Sequence, residues 1–377
     1  MIYLDYNATT PIAREVAEEM MPFIRDTFGN PSSTHPIGQK AKQALETARK
    51  QISGILGCDR SEIIFTSGGT ESNNMALKGV AWTLRKKGCH VITTRIEHPS
   101  IMNTALFLME GGYDVTFCPV DTCGIIDPDE VRKAIRNDTI LISVMHANNE
   151  TGTIQPLSDI SLIARECGIL VHTDAAQSVG KIETNVFSLG VDLLTIAGHK
   201  LYAPKGVGAL YVRKGTELEP LMHGGGQEMG LRSGTENVIL NVGLGKACEL
   251  SANNPSDDMS RIRALRDRLH DLILLALPET VLNGHLEQRL PNTLHLSFPG
   301  IIGEKILREI PDLCASTGAA CHDQSVSMSH VLAAMGVKKE VGMGSVRLSL
   351  GRPTTGDEVD QAAQWIIEAV KKRKKSF

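Results

Sequence analysis

The sequence predicts an α/β protein with a large domain, in which a mostly parallel sheet lies between helices, and a smaller α+β domain. Short β-branched segments alternate with helix-like segments through the first two-thirds of the chain, as in sheets that helices cover on both faces. A polar, turn-rich stretch at residues 252–258 then precedes segments in which polar and apolar side chains alternate. We expect a large domain over residues 15–255 and a small domain over residues 1–14 and 256–377.

The predicted strands of the large domain are short and almost continuously apolar, which is typical of strands buried on both faces. They cover residues 62–66, 91–94, 113–117, 139–144 and 169–172. Helices are predicted between them from stop and start signals: 38–56 before Gly57, 71–87 before Gly88, one opened by Asp127 and Pro128, and 157–166. In the small domain, a helix at 260–277 precedes half-buried antiparallel strands at 292–298 and 345–350.

The composition indicates a soluble globular protein rather than a nucleic-acid-binding one. The chain has 377 residues, 22% of them charged, and a net charge of -4, which is ordinary for a soluble globular protein and gives no nucleic-acid footprint. The basic run at 371–375 follows a helix-like segment and complements its dipole.

The eight cysteines form no C-x-x-C pair, so we expect neither a metal site nor a disulfide framework. With no signal peptide and no apolar stretch of spanning length, we expect a cytoplasmic protein.

Two residues at predicted strand ends suggest pyridoxal phosphate (PLP). Lys200 follows the apolar run 193–197, and Asp174 ends the run that begins at Ile169. A lysine amine forms a Schiff base with the aldehyde of this cofactor, and an aspartate keeps its pyridine nitrogen protonated. Taken alone, Lys200 could instead be a surface lysine, and Asp174 could simply cap a helix.

The segment 64–74 reads as a strand, a Gly-Gly turn and a helix start. Backbone N–H groups at such a helix N-terminus can hold a phosphate. The segment is neither a Walker A loop nor a dinucleotide fingerprint, because it lacks the required lysine and glycine spacing. The alternative is a helix that Ser67 or Thr70 simply caps.

Polar residues follow other strands of the same sheet. His98 can stack on a flat ring and move protons, and Asn149 can bind a ring substituent or a carboxylate. Their alternatives are a loop histidine and a turn residue. Because ligands of open α/β sheets bind outside the carboxyl ends of the strands, we expect His98, Asn149, Asp174 and Lys200 to share one site.

Three further segments carry candidate residues. The glycine-rich loop 223–237 offers Arg232 and Thr235 to an anion, and Arg347 lies on a strand where it can meet a carboxylate bidentately. Cys321 lies in small, polar sequence beside His322, where a lowered thiol pKa would make it a nucleophile. The alternative for a cysteine is a small buried apolar residue.

With these motifs assembled, the chain resembles the NifS/IscS-type cysteine desulfurases, which are class V aminotransferase-like PLP enzymes of fold type I. The resemblance runs almost end to end. It is carried by residues 3–11, 29–33, 66–71, 97–98, 148–152, 172–177, 198–200, 232–235 and 347–352.

The resemblance implies how the cofactor is bound. Lys200 would carry it, Asp174 would pair with the pyridine nitrogen, Gln177 with the ring hydroxyl oxygen, and His98 would stack on the ring and assist proton transfer. The phosphate would be bound by Gly69, Thr70, His199 and, in a homodimer, Thr235 of the partner subunit.

The resemblance also implies the reaction. Asn149 and Arg347 would hold the carboxylate of L-cysteine, and Cys321 would take its sulfur as a persulfide, leaving L-alanine. The sulfur would pass to an acceptor protein such as an iron–sulfur scaffold or a thiolation enzyme.

Ala197 departs from the family pattern, which often has a serine two residues before the His-Lys pair. This departure, and the Gly-Ala-Ala-Cys-His sequence that ends at His322, are similar to selenocysteine lyases. A selenocysteine lyase therefore stays as an alternative, as does another PLP aminotransferase or β-lyase, which would leave Cys321 without a role.

Overall fold

A computed structural model describes the backbone of residues 1–253, 255–317, 320–322 and 325–375. Side chains are described over the same ranges except at 253, 255–257, 320–322, 325–327 and 375. In this part of the chain, no helix is both long enough and apolar enough to cross a membrane.

The strands are short, and each one among the described residues has five residues or fewer. In chain order they are β1 (Ile2–Tyr3), β2 (Ile63–Thr66), β3 (His90–Thr94), β4 (Asp114–Cys118), β5 (Thr139–Ser143), β6 (Leu170–Asp174), β7 (Leu193–Ala197), β8 (Gly208–Val212), β9 (Val281–Leu282), β10 (Thr293–Ser297), β11 (Leu313–Cys314), β12 (Ala320–His322), β13 (Ser325–Ser327) and β14 (Ser345–Ser349).

The α-helices range from single turns to six turns. They are α1 (Arg14–Arg25), α2 (Pro36–Leu56), α3 (Gly69–Thr83), α4 (Pro99–Glu110), α5 (Pro128–Ala134), α6 (Leu157–Glu166), α7 (Val186–Leu189), α8 (Val238–Asn253), α9 (Pro255–Ala276), α10 (Gly303–Arg308), α11 (His330–Ala334), α12 (Lys339–Gly342) and α13 (Gly356–Lys375).

A seven-stranded sheet with the order β2-β8-β7-β6-β5-β3-β4 forms the centre of the molecule. Strands β3 to β7 pair in parallel, and β8 runs antiparallel to both of its neighbours. The predicted mostly parallel sheet is therefore confirmed. Its strands β5 and β7 are buried along their whole length because helices cover both faces.

Two apolar cores lie on the two faces of this sheet. One joins the sheet to α2, α6 and α8, and the other joins it to α3 and α4. A third core contains Ile2 and Leu4 together with residues between Ile262 and Val370, so the start of the chain packs with its last third. The N-terminal strand β1 pairs in parallel with β11, which fixes this arrangement.

The small sheet has the order β14-β10-β9, and its strands are antiparallel as predicted. Strands β10 and β14 are buried on both faces rather than half-buried. Their apolar residues join the third core, while polar residues such as Thr293 and Arg347 contact Asn7 and Asn149 of other segments. The polar face is buried because it meets the rest of the molecule.

Helix ends depart modestly from the predictions. Helix α6 has its predicted bounds, and α5 begins at Pro128 with Asp127 as its N-cap. Helix α9 begins at Pro255, five residues before the predicted start at Ser260. The stretch 252–258 reads as a turn because of its polar residues, yet proline at the first position and acidic residues in the first turn favour a helix start.

Candidate active site

A cavity of about 420 Å³ opens at the carboxyl ends of the parallel strands. The residues predicted from strand ends share it, although β3, β5, β6 and β7 are separated along the chain. Its lining includes Gly69, Thr70, His98, Asn149, Asp174, Gln177, His199, Lys200 and Arg347.

One end of the cavity is the N-terminus of α3. Gly68 is its N-cap, with φ of 148°, and no side chain of the described residues caps it. The alternative that Ser67 or Thr70 merely caps the helix is therefore not what the structure shows. Ser67 instead donates its N–H to Glu71, and the helix dipole faces the cavity at Gly69 and Thr70. This end suits an anionic group such as a phosphate.

Asp174, the last residue of β6, also lines the cavity and is buried, with 6% of its surface exposed. Its Oδ1 accepts the N–H of Ala176 at 2.9 Å, and its Oδ2 accepts an N–H of Asn73 at 2.7 Å. Asn73 also donates to the Ser100 hydroxyl at 2.8 Å. Two donors therefore hold the Asp174 carboxylate in a fixed orientation at the cavity.

The Ser100 hydroxyl and backbone determine which ring nitrogen of His98 carries the proton. The Ser100 backbone N–H donates to Nδ1 of His98 at 3.1 Å, and the Ser100 hydroxyl lies 2.8 Å from the same nitrogen. A backbone N–H can only donate, so Nδ1 accepts and the neutral ring carries its proton on Nε2. Burial lowers the pKa of His98, and the positive charge of Lys200 adds to this effect.

Lys200 follows β7 on a single 3-10 turn, Gly198–Lys200. Its Nζ donates to the backbone oxygens of Asn7 at 2.6 Å and Ala8 at 2.8 Å. Burial, reinforced by the charge of Arg347, lowers the pKa of Lys200 to about 8. At pH 7 about a tenth of this amine is therefore uncharged and nucleophilic, far more than for a lysine with the ordinary pKa of about 10.4.

Arg347 enters the cavity from β14 of the small sheet. Its Nη1 donates to the backbone oxygen of Asn149 at 2.9 Å, and its Nη2 to Asp5 at 2.8 Å. Its Nε has no partner among the described residues. A guanidinium has five N–H groups, so donors remain for a carboxylate ligand.

Asn7 is a site residue that sequence reasoning missed. Its backbone oxygen accepts from Lys200 and Gln177, and its side-chain N–H groups donate to Asn149 and Thr293. It thereby joins the N-terminal segment to both sheets. Asp5, Asn73, Ser100 and Lys181 were missed as well. Asn7 and Asp5 lie in a motif that the sequence showed, but no local pattern reveals which distant groups they contact.

Thr235 does not line this cavity. It lies in a separate cavity of about 210 Å³ with Ser67, Arg232 and Glu236. Arg232, offered from sequence as an anion ligand, pairs instead with Glu71 of α3 at 2.9 Å. A phosphate contact from Thr235 within one protomer is therefore not supported by this geometry.

The glycine-rich loop is fixed by a buried ion pair. Both Nη groups of Arg49 lie 2.8 Å from the carboxylate of Glu228, which also accepts the backbone N–H of Phe65. The side chains of the pair are only 9% and 3% exposed. Glu228 and Met229 both have positive φ, so the pair holds the loop in a conformation that these residues rarely adopt.

Cys321 lies in strand β12, which pairs antiparallel with β13. Its side chain lies outside the described residues, so its predicted role as nucleophile stays a prediction. Before this hairpin, Ser316 forms a β-bridge with Arg347. After it, His330 donates from Nε2 to the backbone oxygen of Glu97 at 2.9 Å. Both flanking segments are thus attached to residues in or beside the cavity.

The donor set of the cavity fits PLP. An amine with a lowered pKa suits an aldehyde, a hydrogen-bonded carboxylate suits a pyridinium nitrogen, and an uncapped helix N-terminus suits a phosphate. All three lie in the lining of one cavity.

Comparisons with known proteins agree with this geometry. A model of the family described as aminotransferase class-V matches residues 2–362. A protein named cysteine desulfurase IscS from Dictyoglomus turgidum is 48% identical over 373 residues, covering 98% of this chain and 95% of that protein.

Two solved structures are similar to this chain over almost its whole length. A NifS-like protein has a TM-score of 0.92 and 40% identity, covering 98% of this chain and 99% of that chain. SspA in complex with cysteine has a TM-score of 0.84 and 39% identity, covering 94% of this chain and 100% of that chain. These likenesses confirm the predicted fold.

Proposed function

The chain belongs to the class-V aminotransferase family, and from this premise we propose that it is a PLP-dependent cysteine desulfurase. It would convert L-cysteine to L-alanine and transfer the sulfur to Cys321 as a persulfide. The observation that carries the proposal is the presence of Lys200 and Asp174 in one cavity with Arg347. The name of the full-length relatives, cysteine desulfurase, supports it and favours sulfur over selenium.

Residues of this chain would hold the cofactor at three points. Lys200 would bond its aldehyde carbon, Asp174 would pair with its ring nitrogen, and the N-terminus of α3 at Gly69 and Thr70 would bind its phosphate. When bound, PLP supplies an electron sink for the carbon next to the substrate amine. His199, whose pKa burial lowers to about 4, would contribute a neutral imidazole at the phosphate end.

Ala197 lies in the cavity lining beside Gly69. A side chain at Gly69 would place its Cβ 3.2 Å from that of Ala197, so these two small residues pack closely. Ala197 offers no hydroxyl to the phosphate. The backbone of α3 and Thr70 would therefore carry most of the binding at this end.

The substrate would be oriented by its carboxylate. Arg347 has N–H groups beyond those bound to Asp5 and the Asn149 backbone, and a bidentate contact there would fix the cysteine backbone. Lys200 is the better general base, because its pKa of about 8 lies near the working pH. His98, which carries its proton on Nε2, would act as a hydrogen-bond donor.

The sulfur step requires a thiolate at Cys321. In this step the thiolate forms an S–S bond with the substrate sulfur while the substrate C–S bond breaks. The electron pair of the C–S bond stays with the carbon skeleton, which leaves as alanine after protonation. Segments on either side of the β12–β13 hairpin are attached to Arg347 and Glu97, which supports delivery of Cys321 to the cavity.

The assembly would be a cytoplasmic homodimer. Thr235 lies outside the cavity of its own protomer, which supports a role for it in the site of a second copy. The persulfide would then pass to an acceptor protein, such as an iron–sulfur scaffold or a thiolation enzyme.

The proposal is tested by turnover of PLP-loaded protein with reductant, in which alanine is counted against sulfide from L-cysteine and against selenide from L-selenocysteine. Equal alanine and sulfide from L-cysteine supports it. Turnover of L-selenocysteine alone would identify a selenocysteine lyase, and amino transfer to a keto acid would identify an aminotransferase. Cys321→Ala should bind PLP normally and lose most sulfide release. Retained release would remove Cys321 from the reaction.

A further inference from the structure

Gln177 lies between two groups that determine which way its side-chain amide points. The Nζ of Lys181 lies 2.9 Å from Oε1 of Gln177, and Nε2 of Gln177 lies 2.9 Å from the backbone oxygen of Asn7. A lysine amine in this contact donates, and a backbone oxygen can only accept. Oε1 therefore faces Lys181 and Nε2 faces Asn7, and the reversed orientation would lose both hydrogen bonds.

This arrangement leaves one hydrogen bond of Gln177 for the cavity. Nε2 carries two N–H groups, and Asn7 takes one of them. Since Gln177 lines the cavity, the remaining N–H is available to a ligand there. Gln177 is thus held as a donor rather than as an acceptor.

Lys181 is well placed to keep this orientation. It follows Gln177 by four residues in a turn that includes Gly180, whose φ of 76° allows the chain to bend back. Its Nζ also lies 3.5 Å from Oδ1 of Asn7. Burial, together with the charges of Lys200 and Arg347, lowers the pKa of Lys181 to about 7. The amine has N–H groups in both protonation states, so it donates to Gln177 on either side of neutral pH.

We propose that Lys181 is a positioning residue that fixes Gln177 as a hydrogen-bond donor to the ring oxygen of PLP. The inference rests on the proposed function, since it needs the cofactor. The Gln177 N–H stabilises negative charge on that oxygen. Without Lys181 only the Asn7 backbone oxygen orients the amide, so the turned form, with Oε1 toward the ring oxygen, loses one hydrogen bond rather than two and becomes more populated.

The predicted effect is visible in the spectrum of the bound cofactor. A ring oxygen that loses its donor holds the neighbouring proton more tightly, so the pH at which the cofactor absorbance changes should rise. The loss of one hydrogen bond to a charged group corresponds to about one pH unit.

The test is a pH titration of cofactor absorbance in PLP-loaded wild type, Lys181→Met, Gln177→Met and the double variant. We expect Gln177→Met to titrate about one unit higher than wild type, Lys181→Met to titrate higher by a smaller amount, and the double variant to match Gln177→Met because Lys181 acts through Gln177. Lys181→Arg should restore the wild-type value, and Lys305→Met, a change at an exposed lysine, should not alter it.

The outcomes separate this inference from the proposed function. Wild-type protein that binds no PLP would refute the proposed function. Wild type that binds PLP, with Lys181→Met titrating at the same pH, would overturn the role of Lys181 alone. A further rise in the double variant would overturn it too. Should Lys181→Met not fold, Lys181→Ala, which also has no side-chain N–H group, should still titrate above wild type, and no rise there refutes the inference.

Discussion

The side-chain amide of Asn73 donates to Oδ2 of Asp174 across 2.7 Å, and the same nitrogen donates to Ser100, which contacts His98. The ring-nitrogen partner and the ring-stacking residue of the proposed site are therefore connected by one hydrogen-bonded chain. Asn73 is almost fully buried, at 1% exposure, so its hydrogen bonds are protected from water.

Removal of Asn73 should weaken cofactor binding. Asn73→Ala takes one hydrogen-bond donor from the Asp174 carboxylate and leaves it less firmly oriented toward the ring nitrogen, so we expect the PLP dissociation constant to rise by about tenfold. Absorbance titration of the apoprotein with PLP measures this. Among the described residues, the neighbouring Asn74 donates to the backbone oxygen of Thr70 and not to Asp174, so Asn74→Ala is the matched control. Equal affinities for the two variants would contradict the prediction.

The rate of PLP binding should depend on the charge of Lys200. Its lowered pKa of about 8 means that the amine is protonated below this pH and free to attack an aldehyde above it. We expect the association rate of PLP with apoprotein to rise with pH and level off above about 8. Stopped-flow absorbance measures the rate, with N-acetyl-lysine as a control that keeps the ordinary pKa of about 10.4. A protein rate that follows the control curve would show that the site does not lower the lysine pKa.

Substrate affinity should depend on the shape of the Arg347 side chain. Arg347→Lys keeps the charge but loses the planar fork, so we expect KM for L-cysteine to rise by about tenfold with a smaller change in kcat. Cysteamine, which lacks the carboxylate, should bind both proteins alike when its competition with L-cysteine is measured. Arg308→Lys changes an exposed arginine and is the control. If Arg347→Lys lost the same affinity for cysteamine as for L-cysteine, Arg347 would not act through the substrate carboxylate.

The buried pair of Arg49 and Glu228 should be important for stability. Arg49→Met leaves Glu228 as an uncompensated buried carboxylate, so we expect the free energy of unfolding to fall by about 3 kcal/mol or more. Urea unfolding of the apoprotein measures the loss. Arg49→Met combined with Glu228→Met should recover much of it, because no unpaired charge then remains.

The matched control is the exposed pair of Arg14 and Glu18 on α1. Arg14→Met should leave the unfolding midpoint nearly unchanged, since water screens such a pair. A similar loss in Arg14→Met and Arg49→Met would mean that burial does not set the importance of these ion pairs.

The central sheet could be predicted from the sequence alone, and so could the edge of the sheet at which the candidate site lies, because the relevant signals are local. A buried parallel strand is read from a continuous apolar run, and its carboxyl end lies beside those of its neighbours. Asp174 ends such a strand and Lys200 follows another, so they could be predicted to lie close together, as they do in the cavity. The Gly-Gly turn likewise predicts the N-terminus of α3.

Partners of these residues could not be predicted, because their contacts join distant parts of the chain. Asp5 lies 342 positions from Arg347 in sequence, and Asn7 is as far from Ser349. No periodicity records such pairs. Thr235 is a different case, because its place in a second cavity depends on the path of the 223–237 loop, which Arg49 and Arg232 determine through ion pairs.

The contacts of Asn7 also have a consequence for the order in which the protein folds during synthesis. Asn7 leaves the ribosome among the first residues, yet its partners Asn292, Thr293 and Ser349 are made near the end. Strand β1 likewise cannot pair until β11 has been synthesised. The central sheet can form earlier from neighbouring segments, but the amine of Lys200 acquires its carbonyl partners in their final place only when translation is almost complete. A nascent chain that stops before β14 would therefore contain most of the fold and lack a finished catalytic centre.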